Sequence, residues 1–358
     1  MQVLTPRYPK YSGRVKPAAV SAETKPAMTA AHGGALTTLP YQGFDVVDFH
    51  VHLPVPWQAS GGGSRSGGAS RPGASSRSAV DAANQDYGRR RREAWRLEWN
   101  LPDPEDISHL TAEEVAARWA GEVEKYGLKR AVLVTGGGNE TLARLVRSHP
   151  DKFVGFCHHD LAAPDALDRL KKGVEELGLS GYKLLAPRVS LQRWDDPSLE
   201  PLWSYAENKQ LPFLIHFGWL GTGGGIVAHP LISPLSIYPV ARAHPGIPFV
   251  VAHFGCGYWG DLLQLCWSCE NVYADTSGSN QWIRWMPYSL TLEDLFRKAY
   301  ETIGPRRVIF GTDSSWFPRG FSFRYLEEQV RVCRWLGMKD EDLALIFGGN
   351  ASRLLHLT

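Results

Sequence analysis

Two histidines stand one residue apart in the stretch FDVVDFHVHLP, at residues 44–54. Imidazole side chains bind zinc, iron and nickel, so His50 and His52 could form half of a metal site. A motif this short is weak by itself, because its meaning depends on the structural context in which it lies. The other ligands, and the elements that position them, have to be sought elsewhere in the chain.

Eight short apolar stretches are predicted to be β-strands. They span residues 45–53, 130–135, 153–159, 181–185, 212–218, 248–255, 271–277 and 307–313. Helices are predicted between most of them, at 111–127, 139–148, 164–177, 197–209, 234–244, 260–269 and 291–303, and two more at 322–336 and 340–355. Strands that alternate with helices pair in parallel. Eight such units over about 310 residues predict an α/β fold of the closed (β/α)8 type, a TIM barrel.

An open, doubly wound sheet is the alternative architecture. Its dinucleotide-binding form requires a G-x-G-x-x-G sequence directly after a strand. The nearest stretch, VTGGGNETLA at 134–143, has Thr141 where the last glycine should stand. The barrel is therefore the preferred prediction.

The first predicted strand has one polar and one apolar face. Alternation places four residues on the polar face: Val46, Asp48, His50 and His52. We expect this face to point into the mouth of the barrel, which is the face at the carboxyl ends of the strands where active sites form. The opposite face is apolar and suits the surrounding helices, with Val47, Phe49 and Val51.

Other predicted strand ends add polar residues to the same rim. Strands four, five, six and eight contribute one each, in the order Lys183, His216, His253 and Asp313. Neutral imidazoles together with a carboxylate suit a divalent transition metal. A catalytic zinc ion lowers the pKa of its bound water towards about 7, and a neighbouring carboxylate can accept the proton. The sequence therefore predicts metal-dependent chemistry at the barrel mouth.

This combination of residues resembles the amidohydrolase superfamily. It is most similar to the amidohydrolase-related branch that includes aminocarboxymuconate-semialdehyde decarboxylase. The stretches GYKLLAPR, LPFLIHFG, NVYADTSG, VIFGTDSSWFPRG and IFGGNASRLL all resemble recurring segments of that branch. The resemblance covers residues 44–357 and is specific for the superfamily, but it indicates little about the substrate.

The resemblance implies a metal-dependent hydrolase of the TIM-barrel type. It implies one divalent ion, with Zn²⁺ first and Mn²⁺ or Fe²⁺ as alternatives. The implied ligands are His50, His52, His216 and Asp313. Asp313 would also shuttle a proton, and His253 would polarise the substrate or orient the attacking water.

Two roles are open for Lys183. In the binuclear amidohydrolases a carboxylated lysine on strand four bridges two metals, so a carbamate at this residue would imply a second ion. A lysine in a G-x-K-L strand also recurs in the mononuclear branch. There an ordinary ammonium group would bind a substrate anion or a buried carboxylate.

Weaker candidates for substrate binding follow the strand ends. An aromatic wall could be formed by Trp219, Trp259 and Trp316, for which plain packing is the alternative. A bidentate clamp on a substrate carboxylate could come from Arg188 or Arg319. His158 could face the pocket, with an ordinary loop position as the alternative.

Composition narrows the function classes. The 358-residue chain is 43% hydrophobic. Its formal net charge of +2 does not indicate nucleic acid or an acidic membrane as a partner. No apolar run reaches the roughly 18 residues of a membrane span. The stretch MQVLTPRYPKYSGRVKPAAV lacks the apolar core of a secretory signal. Five irregularly spaced cysteines do not indicate a disulfide framework. We expect a soluble, cytoplasmic protein.

Two segments fall outside the strand–helix rhythm. Residues 1–43 are predicted to be a loosely ordered extension before the barrel domain at 44–357. A low-complexity insertion is predicted at about 55–95, and it includes the Gly/Ser/Arg-rich stretch 59–78. The stretch YGRRRREAWRLEW that follows is predicted to be helical, with its arginines on a solvated face; contact with a polyanion is the alternative.

The sequence favours hydrolysis of an amide, lactone or ester by a metal-activated water. The closest alternative is a non-oxidative, metal-dependent decarboxylase on the same scaffold. A third possibility of another class is a catalytically silent barrel that serves as a binding module. The expected partner is a small-molecule substrate, and a homodimer is left open.

Overall fold

The computed structural model describes residues 41, 43–55, 78–221 and 225–357, without the side chains of residues 78–83. Nearly all of the predicted extension at 1–43 lies outside the described residues. The part of the predicted insertion from 56 to 77 also lies outside them, so both predictions remain predictions.

Each of the eight predicted strands is present, most of them shorter than predicted. They are β1 (Val47–His52), β2 (Arg130–Thr135), β3 (Phe153–Gly155), β4 (Tyr182–Leu185), β5 (Phe213–His216), β6 (Phe249–Val251), β7 (Val272–Asp275) and β8 (Val308–Ile309). All neighbouring strands pair in parallel, in the orders β1-β2-β3 and β4-β5-β6-β7-β8. Isolated parallel bridges, Cys157 with Tyr182 and Val51 with Ser314, join the two sheets at both seams. The eight strands thus form the predicted (β/α)8 barrel.

Helices follow the strands as the alternation predicts. They are α1 (Ser78–Glu98), α2 (Ala112–Lys125), α3 (Asn139–Ser148), α4 (Ala166–Lys171), α5 (Glu200–Asn208), α6 (Tyr238–Ala243), α7 (Trp259–Ser268), α8 (Leu292–Ile303), α9 (Phe323–Trp335), α10 (Asp340–Ala344) and α11 (Asn350–Leu354). Among the helices that the structure describes, none is long and apolar enough to cross a membrane.

The helices depart from the prediction in several places, one of them the π-helical turn Lys172–Glu176 that ends the predicted helix 164–177. The predicted helix 340–355 is interrupted by a π-helical turn, Leu345–Gly349, between α10 and α11. Helix α1 begins at Ser78, inside the segment predicted as a loop insertion, and runs through the arginine-rich stretch. Two of its arginines, Arg89 and Arg90, are exposed and pair with Asp86, which fits a solvated helix face.

The apolar residues form two clusters, one on each side of the strands. The outer cluster joins strand residues such as Val51 and Leu133 to helix residues such as Trp119 on α2. The inner cluster gathers residues from six different strands and from α11: Val47, Phe49, Val132, Val134, Val154, Leu214, Val250, Ile309, Ala351 and Leu354. It therefore fills the barrel interior, with α11 at the end opposite the mouth.

The prediction of which β1 side chains point into the barrel is correct only in part. Val47 and Phe49 point into the barrel and not towards the helices, whereas Val46 joins the outer cluster. The cause is an irregularity in the pairing with β2, where the register shifts between Asp48 and Val51. Such a shift re-aims the side chains that follow it. The two histidines nevertheless reach the mouth of the barrel.

The seam between β1 and β8 is held by a buried carboxylate. Asp48 accepts hydrogen bonds from the backbone nitrogen of Thr312 at 2.9 Å and from its hydroxyl at 2.5 Å. Burial raises the pKa of Asp48 to about 7. Beyond this contact the backbone nitrogen of Asp313 donates to the carbonyl of His50 at 2.8 Å. The seam thus sets two predicted ligands beside each other.

At the opposite end of the barrel, Asn350 anchors α11 to β8. Its buried carboxamide nitrogen donates to the carbonyl oxygens of Pro305 and Val308, at 2.7 and 2.8 Å. We expect Asn350→Ala to lower the free energy of unfolding by about 1–3 kcal/mol, because two carbonyl groups lose their partner. Urea unfolding followed by circular dichroism measures the change. Ser352→Ala, on the same helix, is the control and should stay within about 0.5 kcal/mol of wild type; equal losses in both variants would contradict this role of Asn350.

Candidate metal centre

Side chains from three strand ends meet at the barrel mouth around the Nε2 atom of His50. This atom lies 3.2 Å from Nε2 of His52 and 3.0 Å from Nζ of Lys183. Oδ1 of Asp313 lies 3.3 Å from Nε2 of His52 and 3.7 Å from Nε2 of His50. The carboxylate of Asp313 is 39% exposed, whereas His50 is fully buried. The cluster is thus open to the mouth through Asp313.

The two histidines of strands five and six complete the group. The ring of His253 stacks on that of His50, with 5.0 Å between centroids. The ring of His216 packs edge-on against His253 at 4.9 Å. Nε2 of His216 is 3.0 Å from the carbonyl oxygen of Trp219, to which it donates. A neutral imidazole that donates through Nε2 keeps a lone pair on Nδ1, so Nδ1 is the atom that could bind a metal, and the ligand role of His216 stays a prediction.

The backbone around the cluster is unusual for residues other than glycine. His253, Phe254 and Cys256 after β6, and Asp313 after β8, adopt positive φ angles of 56°, 49°, 44° and 56°. Such conformations cost free energy and concentrate at functional sites. Gly218 at the end of β5 has a φ of 75°, and a Cβ atom there would collide with the carbonyl oxygen of Cys256. The stretches HFG and HFGCG therefore pack backbone against backbone, which brings His216 close to His253.

A buried carboxylate that the sequence analysis does not single out orients His50. Oδ2 of Asp275, at the end of β7, lies 2.8 Å from Nδ1 of His50, and both side chains are fully buried. The hydroxyl of Ser277 lies 2.9 Å from the same nitrogen. A carboxylate on one ring nitrogen fixes the tautomer and leaves the other nitrogen free for a metal. Asp275 stands at a predicted strand end in NVYADTS, so the rule that found the other rim residues could have found it.

His52 and His253 are oriented in the same manner by hydroxyl groups. Nδ1 of His52 lies 2.9 Å from the hydroxyl of Thr135, the last residue of β2. Nδ1 of His253 lies 2.8 Å from the hydroxyl and 3.1 Å from the carbonyl oxygen of Ser277. Their Nε2 atoms are therefore the ones left for other partners.

The pKa shifts favour the protonation states that bind a cation. Burial, followed by the charge on Lys183, lowers the pKa of His50 well below its ordinary value. Burial likewise lowers the pKa of His216 well below that value. Burial by itself would raise the pKa of Asp313, but the hydrogen bond with His52 and the attraction to His253 hold it well below its ordinary range. The imidazoles of His50 and His216 are therefore neutral, and the carboxylate of Asp313 is ionised.

Lys183 lies inside the cluster, and this position is compatible with both of its predicted roles. Its side chain is buried, and burial lowers its pKa to about 8 while the charge of Asp313 acts in the opposite direction. The bridging carbamate and the ammonium group both remain predictions.

The donor atoms fit a divalent ion. The Nε2 atoms of His50 and His52 and Oδ1 of Asp313 are 3.2, 3.3 and 3.7 Å apart. Metal–ligand bonds of about 2.1 Å place neighbouring ligands of an ion roughly 3.0–3.4 Å apart. Ligand atoms of His50, His253 and Asp313 also lie within 4.8 Å of one another. Nitrogen and carboxylate oxygen together suit zinc, manganese or iron.

Most of the weaker candidates lie outside the cluster. Trp259 is buried in the outer core against Phe254. The ring of Trp219 packs on Trp285 with 4.7 Å between centroids. Arg188 is exposed. The structure therefore does not gather these residues into one wall.

Three more candidates lie on the same face of the barrel. His158 accepts backbone hydrogen bonds from Gly136 and Gly138 through Nε2, and its Nδ1 lies 3.2 Å from the carbonyl oxygen of Phe156, so both nitrogens are in use. Trp316 is half-buried in the segment after β8. Arg319, in the same segment, lies between two aromatic rings.

Comparison with known proteins places this site in a family context. A sequence model of the amidohydrolase family matches residues 47–357. A gamma-resorcylate decarboxylase of Rhodococcus jostii (strain RHA1) is 26% identical over 231 residues, which are 52% of this chain and 67% of that protein. The fold is similar to a TIM-barrel protein of Bordetella bronchiseptica, with a TM-score of 0.57, 17% identity, and 87% and 98% of the two chains covered. It is also similar to an amidohydrolase of Burkholderia multivorans with bound zinc, with a TM-score of 0.54, 16% identity, and 88% and 100% covered.

Metal retention tests the role of Asp275. We expect about one ion per chain in wild type after reconstitution with zinc, and about two if Lys183 carries a bridging carbamate. Asp275→Asn should weaken metal affinity by roughly 10- to 100-fold, because the amide no longer fixes His50. Elemental mass spectrometry after dialysis against a graded chelator series measures both quantities. Asp261→Asn on α7, which alters a carboxylate bonded to Ser233, is the matched control; unchanged retention in Asp275→Asn would rule out the orienting role.

Proposed function

The chain belongs to the amidohydrolase family, and from that premise we propose that it is a metal-dependent, non-oxidative decarboxylase of a small aromatic carboxylic acid. The observation that carries this proposal is the similarity to gamma-resorcylate decarboxylases over about half of the chain. The sequence alone favours hydrolysis, with decarboxylation as the alternative. We reverse that order because the curated relatives carry the decarboxylase name and the donor set serves both reactions.

Decarboxylation requires a cation to hold the substrate and a group to supply a proton. His50, His52 and Asp313 are the residues that would hold a divalent cation, with His253 beside them. When bound, the cation would supply a Lewis acid for a substrate oxygen beside the bond that breaks. In the reaction the bond between the ring carbon and the carboxylate breaks, CO₂ leaves, and the electron pair that stays on the ring carbon takes a proton.

His253 is placed to deliver that proton, and Asp313, which is ionised, can deliver one that it first accepts. Asp313 is the most exposed member of the cluster and lies at its open side. Ser277 occupies Nδ1 of His253, so Nε2 is the nitrogen that can exchange a proton. Buried His50 is held by Asp275 and serves to position the cation.

Hydrolysis is the second candidate function. It is favoured by the ionised state of Asp313, since a carboxylate beside a cation site can accept a proton from water. The same residues would then act on an amide, lactone or ester. The two reactions differ in their products, so one substrate panel distinguishes them.

The substrate panel consists of 2-hydroxybenzoates, including 2,6-dihydroxybenzoate, beside lactones and amides. We expect CO₂ release from one or more hydroxybenzoates, with one deuterium incorporated at the vacated ring carbon in D₂O. A chelator should abolish this activity and added zinc or manganese should restore it. Release of CO₂ and proton NMR of the product measure the reaction. Turnover of a lactone or amide without CO₂ release would replace the proposal by hydrolysis.

Single substitutions test the two proton donors. Asp313→Asn and His253→Gln should each lower kcat by about 10²-fold or more, the usual loss when acid–base catalysis is removed. Metal content is measured on the same samples, so that loss of the ion is separated from loss of proton transfer. Asp261→Asn should retain wild-type kcat. A fully metallated His253→Gln enzyme with unchanged kcat would show that Asp313 acts without it.

A further inference from the structure

The segment after β7 connects the metal centre to a second group of polar and aromatic side chains. Ser277 contacts both His50 and His253. Two residues further on, Ser279 interacts with the phenol group of Tyr325 on α9. The carboxamide of Gln281 lies against the indole nitrogens of Trp95 and Trp99; with its oxygen and nitrogen interchanged, the oxygen accepts hydrogen bonds from both, the one from Trp99 at 3.0 Å. This second group therefore lies beside the metal centre, on the same face of the barrel.

Helix α1 docks on this face through its last turns. Glu98 forms an ion pair of 2.5 Å with Arg284, which follows β7. The guanidinium of Arg324 lies 4.4 Å from the ring centroid of Trp99, and its Nη1 donates to the carbonyl of Trp99. These contacts hold Trp95 and Trp99 against the segments that follow β7 and β8.

Arg319 lies within this group and forms no ion pair with any carboxylate in the part of the chain that the structure describes. Its guanidinium carbon is 5.2 Å from the ring centroid of Tyr325 and 6.0 Å from that of Trp95. Its Nε atom is buried and has no hydrogen-bond partner among the described residues. The neighbouring Arg284 and Arg324 differ, since each pairs with a glutamate.

Arg319 belongs to the segment that also carries Asp313 of the metal centre. Burial raises the pKa of Tyr325, Arg319 lowers it, and the charge of Asp313 raises it. Arg319 and Asp313 are also only six residues apart in the segment that follows β8.

A partly buried guanidinium that has no ion-pair partner among the described residues is suited to binding an anion. Burying a charge without a partner costs free energy, and aromatic faces offset only part of that cost. The two terminal nitrogens of a guanidinium match both oxygens of a carboxylate, and Arg319 as a whole is only partly buried. Two rings beside the cation suit a flat ligand.

We propose that Arg319 binds a carboxylate of an aromatic acid by a bidentate ion pair, with the rings of Trp95 and Tyr325 as walls of the pocket. This inference rests on the proposed function for the class of substrate. It adds the group that recognises the anion and assigns part of the pocket to α1.

Ligand binding tests the inference independently of turnover. Isothermal titration calorimetry is carried out on the zinc-reconstituted full chain with 2,6-dihydroxybenzoate and with resorcinol, the same ring without the carboxylate. Arg319→Met should weaken benzoate binding by roughly 10- to 100-fold, the worth of a charge-assisted pair, and leave resorcinol binding within about threefold. Arg319→Lys should recover part of the benzoate affinity, since it keeps the charge and loses the fork.

The matched control is Arg324→Met, which removes a neighbouring guanidinium that stacks on Trp99 but already pairs with Glu328. Its affinities for both ligands should stay near wild type. Urea unfolding of each variant shows whether it is folded; if Arg319→Met does not fold, Arg319→Lys carries the comparison.

Several outcomes would overturn the anion site: no benzoate binding by wild type, equal losses for benzoate and resorcinol in Arg319→Met, or the same loss in Arg324→Met. A selective loss of benzoate affinity supports the site even if no CO₂ is released in the substrate assay. In that case the decarboxylase proposal fails and the anion site stands.

Discussion

The hydrogen bond from the backbone nitrogen of Asp313 to the carbonyl of His50 is the contact on which the site depends. It belongs to the seam where the last strand meets the first, and it brings together residues separated by most of the chain. The left-handed backbone at Asp313 turns its carboxylate towards the two histidines. A cation bound there would link both sides of the seam, so metal binding and closure of the barrel are thermodynamically coupled.

Around that seam the barrel holds an unusual number of buried ionisable groups, and nearly all have a partner. Asp48 is paired with Thr312, Asp275 with His50, and Lys183 lies against His50. Buried charges are tolerated only when they are paired or hydrogen-bonded. Arg319 is an exception among the groups on this face, since its Nε has no partner among the described residues. The ionisable side chains of the metal centre therefore stabilise one another, whereas Arg319 is suited to an external anion.

The sequence predicts the fold well because strand existence depends on local apolar runs, and all eight runs became strands. It also predicts which residues gather at the mouth, since His50, His52, His253 and Asp313 stand at strand ends. It cannot predict the faces of β1, because the register shift at Asp48–Val51 is a property of the pairing with β2. Asp275 also stands at a strand end, but a carboxylate that supports a ligand histidine has no sequence pattern of its own. The donation from His216 to Trp219 depends on the course of a connecting segment, which no local pattern encodes.

At the mouth of the barrel, helix α1 and the strands contribute to different groups of side chains. The helix contributes Trp95 to the surroundings of Arg319, but none of its described side chains joins the cluster of His50, His52 and Asp313. The chemistry is thus carried by the strands, and part of the recognition surface by an element inserted between β1 and α2. Substitutions on α1 can accumulate without disturbing the ion-binding residues. The insert is therefore a module through which the same reaction centre can be adapted, during evolution or by design, to acids of different shape.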